Sequence, residues 1–357
     1  MQEDGYIDLQ LLESQEVPED VCEVQSSKPC LSYSTGRFRN GAIGLCNIGP
    51  TSCLNPLLQT FYMNRDFTDL LLRIGELDDT VPVDRRFCYE LLALFHDMQK
   101  SKDDAVAPYR FLRCLQSLRV SVYVQNDVAD VFSTLLSLIL QTIPDPYLTE
   151  KVRTLYTISL REQITCQRCS QQRTAHSDLL NIPLRVSHSK FHRKVTLERM
   201  FWRYFRSQEI HGDKTGCPKC EANRGVKVTQ LRSLPRTLSI HLKRLSQKSM
   251  DKVNRTVSFP LVLDLLEVLD PEQLPSEECK TPSYSYHLFA VVAHTGTAAS
   301  GHFCAYINSH KDRQWYFFND SSICKVSWDD VKCTFGNSSL HWGVTACLLV
   351  YVQCEAE

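Results

Sequence analysis

The chain has 357 residues, of which 43% are hydrophobic, so it is long enough to bury a sizeable core in one large domain or two ordinary ones. Its 40 basic and 41 acidic residues give a formal net charge of −1, which argues against a sequence-independent nucleic-acid binder with a strongly basic face. We expect neither a secretory signal at the N-terminus nor a membrane span in the most apolar stretch, residues 131–143.

The N-terminal half is predicted to be helical after a disordered tail. Residues 1–41 are acidic and then polar, with no sustained hydrophobic period, which is typical of disorder. Apolar residues at helical spacing then predict helices over 54–61, 87–98 and 128–139.

The C-terminal half is predicted to be rich in strands. From about Tyr156 the pattern changes to short β-like runs, with one helix over 197–205, and an acidic segment with three prolines, 267–283, predicts a surface loop. Helices first and strands last, without alternating βαβ units, predict an α+β fold. The later strands are predicted at 237–242, 288–293, 303–307, 315–318 and 347–352.

Two distant segments carry residues of catalytic type. The cysteine-containing loop 44–53 precedes the first helix, and Gly301-His302 and Asn319-Asp320 follow far downstream, an order typical of a Cys-His-Asn/Asp hydrolase. A helix N-terminus and a nearby imidazole lower the pKa of a thiol, and Asn47 could present its amide to a developing oxyanion. The alternative is an ordinary helix start capped by Thr51 or Ser52.

Four cysteines form two Cys-x-x-Cys pairs, which is the spacing of a metal site. Two sulfurs separated by two residues can reach one ion, and four thiolates suit tetrahedral zinc. With all four positions filled by protein, the ion would be structural. The alternative is a set of unpaired buried thiols. The predicted ligands are Cys166, Cys169, Cys217 and Cys220.

Several ordered motifs resemble those of the ubiquitin-specific proteases. Residues 47–59 resemble their Cys box, and residues 300–303 with 315–320 resemble their His box. Residues 125–127 look like their Gln-x-Asp segment, and residues 234–244 look like their Leu-Pro-x-x-Leu-x-x-His-Leu-Lys-Arg strand. The resemblance covers about residues 42–353, and these motifs agree with the two cysteine pairs.

The resemblance implies a papain-like fold made of a thumb (about 42–155), zinc-bearing fingers (about 156–233) and a palm (about 234–353). It places the cysteine cluster at the tip of the fingers, which grip a globular modifier. The implied roles are Ser52 at the nucleophile position, His302 as the base, Asn319 as its orienter with Asp320 as second candidate, Asn47 at the oxyanion, and Gln125 and Asp127 at the modifier's C-terminal tail.

The nucleophile position departs from the family pattern. The family has a cysteine after Thr51, whereas this chain has Ser52 followed by Cys53. A hydroxyl is far less acidic than a thiol, so we expect turnover to fall by several orders of magnitude. Cys53 would be rotated by roughly 100° from position 52 along a helix. Three explanations stay open: an engineered trapping substitution, a natural loss of activity, or a loop shift that lets Cys53 attack.

The C-terminal run 318–337 resembles an interferon-induced member of that family. The implied function is a thiol-dependent isopeptidase scaffold that removes a ubiquitin-like modifier from target proteins, with an interferon-stimulated two-domain modifier favoured over ubiquitin. The alternative is an inactive modifier-binding protein that negatively regulates interferon-receptor signalling. A zinc-ribbon nucleic-acid module would leave the other motifs unexplained.

The same resemblance sets the expected partners and location. The partners would be the modifier and its conjugates, together with interferon-receptor signalling components. We expect no nucleic acid, no membrane insertion, no catalytic cofactor and a monomeric chain in the cytoplasm and the nucleus.

Overall fold

The computed structural model describes residues 38, 40–49, 53–75, 80–120, 127–187, 195–212, 216–246, 251–275, 283–298, 300–337 and 343–355. Ser52 and Gln125 lie outside these residues, as does most of the predicted tail. The described part begins at Phe38, whose ring packs edge-on against Tyr316 with centroids 5.1 Å apart.

The N-terminal part is helical and encloses one apolar core. The three helices predicted from periodicity are confirmed, and their apolar residues at helical spacing are buried. In the first of these helices the polar residues Asn55, Gln59 and Thr60 are buried as well. Asp127 and Asp145 each cap the helix that follows them with a side-chain oxygen. The helices are α1 Leu54–Met63, α2 Arg65–Leu71, α3 Phe87–Lys100, α4 Tyr109–Ser117, α5 Val128–Thr142 and α6 Pro146–Tyr156, with a short parallel pair of β1 Gly44–Leu45 and β2 Ala105–Val106.

A four-stranded antiparallel sheet follows. Its order is β4-β3-β8-β7, and β4 lies at one edge with most of its residues exposed. Lys227 and Glu162 form an ion pair across β8 and β3. The strands are β3 Ile158–Cys166, β4 Gln172–Leu179, β7 Gln208–His211 and β8 Arg224–Ser233.

The central sheet carries the C-terminal half of the chain. Its order is β17-β16-β15-β14-β18-β9-β5, with β13 added to β14, and every pair is antiparallel except β5 with β9. All residues of β18 are buried, as expected for a strand covered on both faces. The strands are β5 Ile182–Arg185, β9 Thr237–Lys243, β13 Val262–Asp264, β14 Ser285–Gly296, β15 Gly301–Asn308, β16 Trp315–Asn319, β17 Ser322–Val326 and β18 Thr345–Gln353.

Smaller elements cover the second face of the sheet. The helix predicted over 197–205 is confirmed, and its Phe201 and Phe205 are buried against the sheet. The short elements are β6 Val195–Thr196, α7 Leu197–Phe205, β10 Leu245–Ser246, β11 Asp251–Lys252, β12 Val257–Ser258, α8 Leu265–Val268 and α9 Trp328–Val331.

The surface-loop prediction for 267–283 is confirmed for the exposed residues 267 and 270–272, but it missed regular structure and buried residues in the same part. Residues 276–282 lie outside the described residues. α8 runs to Val268, and a 3₁₀ turn over Pro271–Gln273 follows it. Gln273 is buried because its amide donates to Phe205 O at 3.0 Å. The acidic, proline-rich composition gave no sign that a buried glutamine amide would hold this segment against the core.

The α+β prediction is confirmed: helices come first, and the large sheet is built mainly from later strands. Helix α1 packs on β15, which brings the first helix of the chain against the central sheet. The two faces of the central sheet bury separate apolar clusters, one against the N-terminal helices and one against α7 and α8.

Candidate active site

His302 lies at the start of β15, in a strand position that the neighbouring β14 supports. His302 pairs with Thr295, and Gly301 pairs with Gly296. A Cβ on Gly301 would overlap His294 Nε2 and would lie 2.5 Å from Thr295 O. Glycine is therefore the residue that lets β15 approach β14 closely beside His302.

Asn319 orients the ring of His302. Asn319 ends β16, and its Oδ1 lies 2.6 Å from His302 Nε2. An amide oxygen only accepts hydrogen bonds, so Nε2 carries the proton and Nδ1 is the basic nitrogen. The His302 side chain is 36% exposed, which leaves the ring accessible for proton transfer.

Asp320 connects the loop before α1 with the end of β16, two segments that lie far apart in the sequence. Its carboxylate accepts hydrogen bonds from Asn47 Nδ2 at 3.0 Å and Asn55 Nδ2 at 2.8 Å, while its carbonyl accepts from Leu45 N at 3.0 Å. Asp320 Oδ2 also lies 3.8 Å from His302 Nε2. The loop before α1 and the first turn of α1 are thereby both fastened beside the imidazole.

The chain on either side of Asp320 makes this docking possible. Asp320 has φ +50, the left-handed conformation that a tight turn between β16 and β17 requires. A Cβ on Gly44 would lie 2.7 Å from Ser321 Cα, so only glycine lets β1 lie against this turn.

Cys46 and Cys53, the cysteines closest to position 52 in the sequence, lie in surroundings that disfavour the thiolate. Cys53 is fully buried, and burial raises the pKa of its thiol to about 12. Cys46 is half-buried, and burial first and the charge of Asp320 second raise the pKa of its thiol. Since the thiolate is the nucleophile, neither residue is an effective substitute for a sulfur at position 52.

Asp127 is held from two sides. Its Oδ1 accepts from Ala129 N at 3.2 Å as the cap of α5, and its Oδ2 lies 2.8 Å from His241 Nε2. His241 is buried on β9, so it is a core histidine whose ring has a hydrogen-bond partner. The predicted contact of Asp127 with a modifier's tail stays a prediction.

The four predicted zinc ligands lie together. Their sulfurs are all within 4.8 Å of one another, with 3.6 Å between Cys166 and Cys220 and 3.5 Å between Cys169 and Cys217. Sulfurs at about 2.3 Å from one ion are about 3.8 Å apart, so the cluster fits a tetrahedral metal such as zinc. Backbone N–H groups of Cys169 and Arg168 lower the pKa of Cys166 to about 6, which favours the thiolate that a metal needs.

Known proteins give the same assignment over most of the chain. The family model for ubiquitin carboxyl-terminal hydrolases matches residues 43–351. Ubl carboxyl-terminal hydrolase 18 of Homo sapiens is 36% identical over 97% of this chain and 96% of its own length. The protein of the same name from Mus musculus is 38% identical over 88% of this chain and 86% of its own length.

The chain belongs to the ubiquitin carboxyl-terminal hydrolase family. A more distant relative, Ubiquitin carboxyl-terminal hydrolase 47 of Mus musculus, is 24% identical over 86% of this chain but only 27% of its own length. The resemblance inferred from the motifs is confirmed, and with it the class of hydrolase and protease. Membership also supports ubiquitin-like modifier conjugates as the partners of this protein.

Two residues at this ubiquitin carboxyl-terminal hydrolase site were not assigned a role from the sequence. Asn55 is buried, and its single amide also reaches Leu45 O at 3.4 Å and Cys46 O at 3.3 Å. Gln59 Nε2 donates to Ile43 O at 2.7 Å and holds the entry to the same loop. Both lie inside the motif 47–59, and their spacing of four on α1 is a signal that they share one helix face.

His294 is a buried neutral histidine on β14, beside the β15 segment that carries His302. Burial first, and the charge of Lys252 second, lower the pKa of His294 to about 3. Its ring packs against Phe303, with centroids 4.7 Å apart. His294 therefore packs against β15 as an uncharged side chain and is not a second proton donor.

Within the described ranges, no helix combines the length and the apolar character that crossing a bilayer requires.

Proposed function

We propose that this protein is an isopeptidase scaffold that recognises the C-terminal tail of a ubiquitin-like modifier and acts on the bond joining it to a target protein. The observation that carries this proposal is the His302–Asn319 pair, tied through Asp320 to Asn47 and to the first turn of α1. This is the arrangement that nucleophilic acyl transfer requires around a nucleophile at position 52.

The geometry supports the following roles. His302 Nδ1 takes the proton of the attacking group of residue 52, and that group bonds to the carbonyl carbon of the modifier's last residue. Asn47 donates one amide hydrogen to Asp320 and has a second one for the oxyanion. The imidazolium then protonates the leaving lysine amine, and a water deprotonated by the same ring hydrolyses the acyl intermediate and releases the modifier.

Ser52 makes this reaction slow. A hydroxyl held at a thiolate site is not ionised, so its proton must leave during the attack and the barrier is higher. We therefore propose that this chain holds conjugates far longer than it takes a cysteine enzyme to cleave them. Asp127, and Gln125 outside the described residues, would contact the modifier's tail.

The preferred modifier is an interferon-stimulated two-domain ubiquitin-like protein rather than ubiquitin. Similarity to proteins called Ubl carboxyl-terminal hydrolase 18 along nearly the whole chain supports a ubiquitin-like modifier. The resemblance of residues 318–337 to an interferon-induced member of the family supports the interferon-stimulated one. The fingers (156–233) would carry a structural zinc ion on the cysteine cluster, and the thumb (42–155) and palm (234–353) would enclose the tail. The reaction itself would need no cofactor, and the protein would act as a monomer in the cytoplasm and nucleus.

A second candidate is a modifier-binding protein without turnover that damps interferon-receptor signalling through protein contacts. Two observations favour it: Ser52 stands at the nucleophile position, and the adjacent Cys53 is fully buried with a pKa of about 12.

The test uses each modifier with a thiol-reactive alkyne at its C-terminus. We expect no labelling of the unchanged chain, rapid labelling after Ser52→Cys, and a rate at least about 100-fold lower after a further His302→Ala, because a general base contributes that much. The double variant Ser52→Cys with Cys53→Ser is the matched control and should label as fast as Ser52→Cys. A folded Ser52→Cys chain that reacts with neither modifier would refute the proposal.

Hydrolysis separates the two candidates. The unchanged chain and Ser52→Ala are compared for cleavage of a modifier linked to a fluorogenic amine, with the modifier's Kd measured for both. Faster cleavage by the unchanged chain supports a slow isopeptidase. Equal, background-level cleavage with equal Kd values supports the binding protein. Competition between the two modifiers in the labelling assay decides the preference.

A further inference from the structure

Lys252 reaches the end of β14 at a place where the sheet lacks a strand. The last pair between β14 and β18 is His294 with Thr345, so Thr295 and Gly296 extend beyond β18. Lys252 Nζ donates to His294 O and Gly296 O at 3.0 Å each and to Gly343 O at 2.7 Å. If β18 began earlier, its backbone N–H groups would hydrogen-bond the carbonyls of His294 and Gly296. The Lys252 ammonium bonds these two carbonyls instead.

The opposite edge of the same segment carries the base. Thr295 pairs with His302 and Gly296 with Gly301, directly across from the carbonyls that Lys252 binds. The side chain of His294 also abuts Gly301 and Phe303. A shift of the end of β14 would therefore move His302 relative to Asn319.

We propose that Lys252 is a positioning residue for His302, because its ammonium fixes the end of β14 and so holds the base against Asn319 and the start of α1. This inference rests on the proposed function, since it concerns the same reaction. The Lys252 ammonium bonds only backbone carbonyls, those of His294, Gly296 and Gly343, in the described residues. We therefore expect its loss to slow the chemical step and spare modifier binding.

The surroundings of Lys252 make its charge sensitive to pH. The ionisable groups facing it are Arg244, Cys347 and His294, with Asp127 acting on the last two. Burial lowers the pKa of Lys252 to about 8. Above that pH a neutral amine has two N–H groups for three carbonyl oxygens, so one hydrogen bond is lost.

The pH dependence of the free energy of unfolding distinguishes a positioning role of Lys252 from a purely stabilising one. Because the pKa of Lys252 falls from its ordinary 10.5 to about 8 on folding, the unfolded chain binds more protons between these two values. This titration therefore raises the free energy of unfolding as the pH rises through that window. A positioning role predicts slower chemistry in the same window, without a loss of stability caused by Lys252.

The experiment measures labelling of the Ser52→Cys chain by the alkyne probe from pH 7 to 10. We expect Lys252→Met to lower the rate about tenfold or more, as small misplacements of a base do, with the modifier's Kd unchanged within about twofold. In the parent, the labelling rate should fall as the pH rises through about 8. Lys252→Arg keeps its charge at these pH values, so it should retain the parent's rate at pH 7 and show no such fall. Lys243→Met, at the exposed end of β9, is the control and should match the parent.

Three outcomes overturn the inference. The first is a Lys252→Met chain that labels as fast as its parent. The second is a loss of rate that is matched by a loss of binding and is not rescued by arginine. If Lys252→Met does not fold, the pH profile of the Ser52→Cys parent decides. The third outcome is then a parent labelling rate that does not fall as the pH rises above about 8. Failure of the proposed function is a separate result, because the Ser52→Cys parent itself would then stay unlabelled.

Discussion

Asp320 is the single residue on which the geometry of the site depends most. Its carboxylate binds amides from two places on the chain, Asn47 and Asn55, and lies near the imidazole of His302. A charged acceptor makes stronger hydrogen bonds to amides than a neutral one, which favours a fixed loop before α1. The turn that presents this carboxylate needs a left-handed φ at Asp320 itself.

Gly301→Ala should damage the site more than its cost in stability suggests. The new Cβ would overlap His294 Nε2, so β15 must move, at a cost of about 1–3 kcal/mol in the free energy of unfolding. We expect probe labelling of the Ser52→Cys chain to fall at least about tenfold, because His302 is the next residue. Denaturant unfolding and labelling rates measure the two effects.

Gly75→Ala is the matched control for that prediction. Gly75 has φ +84 and ψ −171, a backbone conformation that is essentially restricted to glycine, and an added Cβ would meet no atom within 4 Å, so alanine there costs about 1–3 kcal/mol of backbone strain alone. It should lose comparable stability and keep its labelling rate. Equal labelling by both variants would show that the contact between Gly301 and His294 does not position the base.

At the scale of elements, the two cysteine pairs form turns of the same geometry. Ser170 N donates to Cys166 O and Glu221 N to Cys217 O, and the residue after each second cysteine has φ +56. One turn joins β3 to β4, and the other lies between β7 and β8. The four-cysteine cluster therefore brings these two turns together at one end of the four-stranded sheet.

We expect this cluster to hold about one zinc ion per chain, since four thiolates fill a structural zinc site. Metal analysis of purified protein checks this stoichiometry. Cys169→Ser with Cys217→Ser should abolish zinc binding and lower the melting temperature, because a structural metal contributes folding energy. Cys333→Ser, at an exposed cysteine outside the cluster, should keep both, and a double variant that retains its zinc would contradict the assignment.

At the scale of the whole molecule, the site lies where the helical part meets the central sheet. Asn64, between α1 and α2, caps α2 through Phe67 N and donates to Tyr156 Oη at 3.3 Å and Thr237 Oγ1 at 3.2 Å. Asn64 is buried, so one side chain joins α2, α6 and β9. Arg236 adds a bond to Asp66 at 2.5 Å across the same junction.

Asn64→Ala should lower the free energy of unfolding by about 2–4 kcal/mol. The substitution removes a cap and leaves two buried hydroxyls without their partner, each loss costing on the order of 1 kcal/mol or more. Asp145→Ala removes only an exposed cap, of α6, and should cost about 1 kcal/mol. Urea unfolding of both variants tests this, and equal losses would mean that the junction contributes nothing.

Motifs and periodicity predicted much of this structure and part of the site. The three long N-terminal helices, helix α7 and the later strands are where the hydrophobic pattern indicated. Helices α2, α4 and α6 were missed, although Asp145 followed by Pro146 is a helix start signal. Asn55 and Lys252 were missed because their partners are backbone carbonyls and a distant carboxylate, which no local pattern specifies.

The sequence by itself determined the family and the α+β class, and it predicted the residues of the candidate site, because hydrophobic period and ordered motifs are local properties of the chain. It also determined that position 52 is serine. Only the tertiary structure decided that Asp320 fastens the loop before α1, that Cys53 is buried, and that Lys252 completes the end of β14. These features depend on which distant backbone groups meet across the sheet, and contacts of that kind arise from packing rather than from any local pattern.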